Sequence, residues 1–188
     1  MTAETMISIC LGIGLAASVG FRVFLPLFAL SLAAHNGLWE LNDNWEWIGS
    51  MTALIILGVA TAVEILGYYI PFIDNLLDSI AIPLAAIAGT AVMVSTVADL
   101  SPAVTWTLAI IAGGGTAAAI SSASGATRMA STATTAGIGN PVVSTVETGT
   151  SLILSIVSIL VPVIGVMLVL LTLFIIFRLY KKFKSRSA

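Results

Sequence analysis

Long apolar segments alternate with short polar connections along this chain of 188 residues. Six segments have about the 17–25 residues that an α-helix needs to cross roughly 30 Å of hydrocarbon. Their ranges are 3–20, 48–70, 81–98, 103–120, 142–160 and 162–180. The first and the fourth are barely long enough. The pattern predicts an all-α integral membrane protein with about six transmembrane helices.

Two further segments do not fit this pattern. Residues 21–35 are apolar but too short to span a membrane, and they carry Arg22 and Pro26. Residues 121–139 consist mostly of Ser, Ala, Thr and Gly around Arg128. Non-helical backbone at membrane depth is tolerated only where it packs against protein or lines a cavity. We therefore predict two short re-entrant segments, each built around an arginine.

This arrangement divides the chain into two halves, 1–100 and 101–180, followed by a basic tail at 181–188. Each half would contain one spanning helix, one re-entrant segment and two more spanning helices. Three crossings per half would give the halves opposite orientations, as in an inverted repeat. AASVGFR at 16–22 resembles SSASGATR at 121–128, in agreement with a repeat. The alternative is that small-residue helices resemble one another by composition alone.

Aromatic and charged residues predict which side of the membrane each connection faces. The loop 36–47 carries three tryptophans and three acidic residues but no lysine or arginine, which is typical of an outer loop. Five of the seven basic residues lie in the last eleven positions, which places the C-terminus in the cytoplasm. Counting six crossings puts the N-terminus and the loop 71–80 in the cytoplasm as well. We expect a multi-pass protein of the bacterial cytoplasmic (inner) membrane.

The overall composition supports a membrane protein and narrows the chemistry. Charged residues make up 9% of the chain, against roughly 25% in soluble domains. Cys10 is the only cysteine and His35 the only histidine, which argues against a disulfide framework, zinc clusters and Ser/His/Asp catalysis. We expect no enzyme activity, no metal and no cofactor.

Arg22 is the only charged residue between Thr5 and Ala34. An arginine at the bilayer centre costs at least roughly 2.5–3.5 kcal/mol, so it pairs with an acid, lines water or snorkels. Gly20 and Pro26 can break the helix on either side of it. Arg22 is therefore predicted at the tip of a re-entrant segment, aimed at a carboxylate or an anionic ligand. The alternative is an Arg–Glu pair that only locks helices together.

Glu64 and Glu147 are the two acids predicted inside the membrane, both toward the inner leaflet. A membrane-embedded acid close to an arginine can exchange a proton near neutral pH, as proton-coupled carriers require. The alternative is that such an acid is a permanently ionised partner of Arg128.

Asp74 and Asp78 are four positions apart in PFIDNLLDSIAIP, so they share one face of a short helix between Pro71 and Pro83. Like charges at this spacing are unfavourable, which indicates a cation, a proton or Arg128 nearby. Alternatively, Asp74 caps the helix and Asp78 is solvated.

Small residues dominate the stretch 112–137, where 23 of 26 positions are Gly, Ala, Ser or Thr. This composition favours close helix packing or, alternatively, a path lined by hydroxyl groups. Asn140 and Pro141 form a typical helix start, whose positive end would lie at the inner edge of the bilayer.

Three motifs carry a family resemblance: GFR-x-x-x-P, E-x(9)-D-x-x-x-D and G-x-x-R followed by G-x-G-N-P-x-x-S-x-x-E. Over nearly the whole chain they resemble small bacterial membrane proteins catalogued only as a domain of unknown function, DUF4126. The resemblance implies no activity. Thr148 stands where the family pattern leads us to expect a second acid. The Gly-Arg-Pro stretch is also faintly similar to the re-entrant motifs of DedA-type lipid carriers. The resemblance implies these motif positions: Arg22, Glu64, Asp74, Asp78, Arg128, Asn140, Pro141, Ser144 and Glu147.

These features favour a small transporter or channel-like carrier, ion- or proton-coupled, for a small or anionic solute. Arg22 and Arg128 would contact an anion or gate the carboxylates. One alternative is a lipid or lipid-phosphate translocase, and another is a non-transporting membrane scaffold. We expect membrane lipids and a small solute or ion as partners, and no nucleic acid. Assembly into a homo-oligomer is an alternative to a monomer. The predicted substrate- or ion-binding residues are Arg22, Glu64, Asp74, Asp78, Arg128, Asn140, Ser144 and Glu147.

Overall fold

The structure is a computed structural model that describes residues 2–184, with the backbone alone at 71, 179, 180 and 182–184. Every element within these residues is helical. The predicted basic tail at 181–188 is described only up to residue 184. The elements are α1 (Ala3–Val19), α2 (Phe24–His35), a 3-10 helix (Asp43–Gly49), α3 (Met51–Gly67), α4 (Pro71–Thr96), α5 (Pro102–Leu108), a π-helical segment (Ala109–Gly114), α6 (Gly115–Thr135), α7 (Asn140–Leu160) and α8 (Pro162–Lys184).

The chain is an all-helical membrane protein. In the described residues three helices are long and apolar enough to cross a bilayer: Phe72–Thr96, Pro102–Thr135 and Asn140–Leu160. A fourth results if the 3-10 helix and α3, bent by 63° relative to each other, count as one span. The remaining apolar helices, α1, α2 and the start of α8, are shorter. The predicted count of six crossings is not confirmed.

Local sequence explains several helix boundaries. The Thr2 hydroxyl accepts the Thr5 N–H at the start of α1, and the Ser50 hydroxyl accepts the Ala53 N–H at the start of α3. Pro141 opens α7, as the Asn-Pro pair predicts. Pro83, however, does not end the helix before it. The segment predicted as a loop at 71–80, and as a short helix ending at 83, is the first part of the 26-residue α4.

The sequence predicts 103–120 and 121–139 as separate segments, but the structure joins most of them in one 34-residue helix, Pro102–Thr135. At 1.5 Å per residue this helix is about 51 Å long, well beyond the roughly 30 Å hydrocarbon layer. No proline interrupts it, and its glycine-rich middle forms a π turn instead of a break. A side chain at Gly113 would meet the Gly89 carbonyl oxygen at 2.6 Å, so this glycine permits close packing on α4.

α1 and α2 form a helical hairpin whose ends lie together. The Ala98 N–H donates to the Ser8 hydroxyl at 3.1 Å, and the Asn42 side chain donates to the Val97 carbonyl at 2.8 Å. The start of α1 and the loop after α2 therefore both lie beside the C-terminal end of α4. This differs from the sequence prediction, which places the N-terminus and the loop 36–47 on opposite sides of the membrane.

α1 is the central helix and packs against α4, α6, α7 and α8. Its apolar side chains Leu11, Leu15 and Val19 are buried in the main core cluster. Arg22 follows α1 in a break, whereas Arg128 lies within the uninterrupted α6. The two halves thus do not show the same order of elements, and the predicted inverted repeat is not confirmed.

Candidate functional site

One buried polar cluster lies where the α1–α2 hairpin turns. It is built by the turn itself, the C-terminal end of α3, the N-terminal ends of α4 and α7, and the middle of α6. All residues predicted as substrate- or ion-binding lie in it: Arg22, Glu64, Asp74, Asp78, Arg128, Asn140, Ser144 and Glu147.

Arg22 occupies the break between α1 and α2 and is only 1% exposed. Its Nε donates to the Thr148 hydroxyl at 2.9 Å, and Nη1 donates to Glu147 at 3.1 Å and to the Phe21 carbonyl at 3.2 Å. Nη2 donates to the carbonyl and hydroxyl oxygens of Ser144 at 3.0 and 2.6 Å. A guanidinium has five N–H donors, so its hydrogen-bonding capacity is fully used.

Arg128 is the second buried cation, 3% exposed. Its Nη1 donates to Asp74 Oδ1 at 2.5 Å. Its Nε and Nη2 donate to the two carboxylate oxygens of Glu147. Asp78 lies farther away, with 3.6 Å between Nε and Oδ1, and its side chain is 26% exposed. Arg128 is therefore held firmly by two acids and loosely by a third.

Glu147 joins the two arginines into one network. It is the only carboxylate that forms an ion pair with Arg22 in the described chain, and it also pairs with Arg128. The Ser124 hydroxyl donates to it as well. Removing this one side chain would leave Arg22 with neutral acceptors only.

Asp74 is tied to α7 through a second polar contact. The Asn140 side chain donates to Asp74 Oδ2 at 2.9 Å and to the Thr132 hydroxyl at 3.1 Å. Asp74 is thus buried and paired inside α4, and does not act as a helix cap.

Glu64 is bound differently from the other acids. Its two oxygens accept the backbone N–H groups of Val23 and Phe24, at 2.7 and 3.0 Å. These are among the donors left free at the start of α2, where the helix dipole also favours a negative charge. Among the described residues Glu64 forms no ion pair with an arginine. α3 therefore holds the hairpin turn by a charge-assisted cap.

Tyr68 forms an aromatic face for both cations. The guanidinium carbons of Arg22 and Arg128 lie 4.0 and 4.1 Å from the centre of its ring. Tyr68 is 7% exposed and follows the last turn of α3. Cation–π contacts of this kind are strongest when the partners are removed from water.

The cluster contains more acids than bases. Among the described residues, four carboxylates against two guanidiniums leave a formal charge of −2 if all are ionised. A cavity of about 40 Å³ lies beside both arginines, and Glu64, Asp78 and Glu147 also line it. A water molecule needs roughly 10–15 Å³ measured in this way, so about three waters or one small ion would fit. In the described residues no group of three or more His, Cys, Asp or Glu is arranged to hold a metal ion.

Four polar residues of the cluster escaped the sequence prediction: Tyr68, Ser124, Thr132 and Thr148. Helical spacing would have found the first three, since Tyr68 follows Glu64 by four residues, and Ser124 and Thr132 flank Arg128 by four. Thr148 stands where a second acid was expected, and its hydroxyl accepts a hydrogen bond from Arg22 Nε.

Comparison with known proteins gives a family and no function. A family model described as "Domain of unknown function (DUF4126)" matches residues 9–182, which is nearly the whole chain. No curated protein and no solved structure matches it. The faint likeness to DedA-type carriers is not among these findings.

Proposed function

We propose that the chain, which belongs to the DUF4126 family, is a small membrane carrier coupled to a proton or a monovalent cation. The observation that carries this proposal is the charge imbalance of the buried cluster beside its cavity. Two arginines face four acids, and the cavity is lined by residues from both halves of the chain.

An excess of buried negative charge is costly, because the free energy needed to remove an ion from water is offset only by close pairing with an opposite charge. Asp74 and Glu147 are paired with arginines at hydrogen-bonding distance. Glu64 has no arginine partner, and Asp78 is only loosely paired. The two excess charges thus belong to Glu64 and Asp78, which both line the cavity. A proton or a monovalent cation bound there would balance them.

The arginines serve this carrier as gating groups. All five donors of Arg22 are occupied, and Arg128 is held by Asp74 and Glu147. An anionic solute could reach either guanidinium only by displacing a carboxylate. Exchange of acid partners on Arg22 and Arg128 would instead open or close the cavity as the ion binds, so we favour a cation or proton over an anion as the coupled species.

The proposed topology has five spans, the 3-10 helix with α3, α4, α5–α6, α7 and α8, with the α1–α2 hairpin entering from the outer side. At 17 and 12 residues, α1 and α2 are about 25 and 18 Å long, shorter than the roughly 30 Å hydrocarbon layer. The acidic, Trp-rich loop 36–47 supports an outer location for that end. The basic C-terminal tail supports a cytoplasmic C-terminus and insertion in the bacterial inner membrane.

Ion flux in proteoliposomes tests the function. Purified protein is reconstituted in vesicles containing a dye selective for H⁺, Na⁺ or K⁺, and the flux of each ion down its own gradient is followed in separate experiments. The wild type should dissipate at least one of these gradients faster than empty vesicles. Glu40→Gln, which removes an exposed carboxyl group of the outer loop, is the matched control and should retain the full rate.

A wild-type protein that folds and dissipates none of the three gradients contradicts the carrier. Glu64→Gln, which neutralises an acid of the cluster, should lower the ion flux. A flux that Glu40→Gln lowers as strongly as Glu64→Gln contradicts the assignment of the ion site to the cluster.

A lipid translocase is the second candidate, because an apolar groove adjoins the cluster. This groove, about 490 Å³ in volume, lies between α2, α3 and α4 and is lined mainly by Phe24, Ile55, Ile56, Val59 and Val63, with Glu64 at its polar end. It would suit an acyl chain whose headgroup reaches Glu64. Fluorescent lipid in the same vesicles distinguishes the two functions, since a translocase exposes inner-leaflet probe to an external quencher and an ion carrier does not. Vesicles in which neither ions nor lipids move would favour a scaffold.

A further inference from the structure

A second cavity lies at the opposite end of the bundle from the charged cluster. Its volume is about 580 Å³, within the roughly 300–1,000 Å³ typical of small-molecule sites. The 3-10 helix and the connection from α4 to α5 form its walls. Val94 and Val97 contribute an apolar floor.

Three indole rings and two free carboxylates line this cavity. The rings are Trp45, Trp47 and Trp106, of which the first two are stacked with centroids 6.4 Å apart. The carboxylates of Asp43 and Asp99 are exposed and make no hydrogen bond or ion pair with the described residues. None of the described residues that line the cavity is a lysine, arginine or histidine. It therefore combines unbalanced negative charge with aromatic side chains.

The cavity is held in shape by backbone contacts. The Asn42 side chain donates to the carbonyls of Val94 and Val97 at 2.5 and 2.8 Å, and the Asn42 carbonyl accepts the Trp45 N–H at 2.6 Å. Asp99 adopts a left-handed backbone with φ of 57°, which few non-glycine residues do. These contacts fix the 3-10 helix against α4 independently of any ligand.

We propose that this cavity binds an alkylammonium group, supplied by a free solute or by a lipid headgroup. A cation over an aromatic face gains roughly 0.5–2 kcal/mol, and aromatic cages recognise quaternary ammonium groups in this way. The carboxylates supply the opposite charge. Tryptophans that only anchor the protein at the membrane surface need no cavity and no unpaired acids beside them. The site is independent of the ion carrier proposed above.

Tryptophan fluorescence provides a direct readout, because three of the four tryptophans line the cavity. The full chain in a non-ionic detergent is titrated with choline and, separately, with dimethylbutanol, its neutral isostere. We expect a saturable change in emission with choline alone. Asp99→Asn keeps a residue that tolerates the left-handed backbone, and Asp43→Asn removes the other charge.

Each of these variants should weaken choline binding about fivefold, the loss expected for one charge pair about 4 Å apart in water-exposed surroundings. Glu46→Gln, in the same 3-10 helix but outside the cavity lining, should bind choline like the wild type. Nanodiscs of phosphatidylethanolamine and of phosphatidylglycerol test the lipid source. An emission difference between these lipids that Asp99→Asn abolishes, without a response to choline, identifies the headgroup as ligand.

Equal responses to choline and dimethylbutanol overturn the proposal. So does the absence of any response to choline combined with identical emission in the two lipids.

Discussion

Replacing Glu147 with glutamine should destabilise the protein more than neutralising any other acid of the cluster. Glu147 is the only carboxylate paired with Arg22 in the described chain, and it also pairs with Arg128. Both arginines are at most 3% exposed, so water cannot replace the lost partner. Removing one partner of a buried pair costs about 3–5 kcal/mol. At about 2–4 °C per kcal/mol for a chain of this size, Tm should fall by about 6–20 °C.

Thermal unfolding in detergent, followed by circular dichroism, measures this change. Glu64→Gln is the comparison inside the cluster: its amide oxygen can still accept one of the two N–H groups, so the cost should be about 1–2 kcal/mol. The exposed Glu40→Gln should change stability by less than about 0.5 kcal/mol. Combining Arg22→Gln with Glu147→Gln should cost about 0.5–3 kcal/mol less than the sum of the single changes. A Glu147→Gln protein that melts no lower than Glu64→Gln would refute the reasoning.

Three further predictions follow from the fold. In a background without the native cysteine, Glu4→Cys and Asn44→Cys should both react with an impermeant thiol reagent added outside intact cells; labelling of only one contradicts the α1–α2 hairpin. Gly20→Ala should cost about 1–3 kcal/mol of stability, since the new carbon would lie 2.7 Å from the Ala117 carbonyl oxygen in the helix Pro102–Thr135. Gly125→Ala, with open space around it, should be neutral or stabilising by up to about 1 kcal/mol. Equal melting temperatures of the two variants would contradict this packing. Tyr68→Phe should keep both cation–π contacts, and Tyr68→Leu should lose about 1–2 kcal/mol or more in thermal unfolding; identical effects of the two changes would argue against those contacts.

The sequence predicted the members of the cluster better than it predicted the path of the chain. Charged residues in an apolar chain are costly to bury, so Arg22, Arg128 and the membrane-embedded acids had to meet one another. This physical requirement is independent of the number of crossings. It explains why the predicted residues converge although the predicted elements differ.

The helix boundaries could not be predicted from hydropathy alone. Residues 121–135 are polar enough to look like a separate segment, yet they continue the helix begun at Pro102. The Ser and Thr hydroxyls bond to carbonyls of the same helix, and Ala is a strong helix former. Pro83 remains inside α4 because membrane helices tolerate a proline where neighbouring groups satisfy the freed backbone carbonyl.

The orientation of α1 depended on contacts between distant parts of the chain. Hydropathy assigns it a crossing but no direction relative to α4. The direction of α1 is given only by hydrogen bonds between distant residues, such as Ser8 with Ala98 and Ser18 with Ser151. The role of Tyr68 was likewise not predicted, because its sequence neighbours do not reveal the two guanidiniums beside it.

The most direct test of the central claim is ion flux through a variant whose cluster is electrically balanced. Glu64→Gln combined with Asp78→Asn leaves two carboxylates for two arginines, both of them firmly paired. Such a protein has no excess charge for a proton or a cation to neutralise. It should fold, as judged by its melting curve, and should lose the gradient-dissipating flux of the wild type in proteoliposomes. A folded double variant that retains the wild-type flux would contradict the assignment of the coupled ion to this cluster.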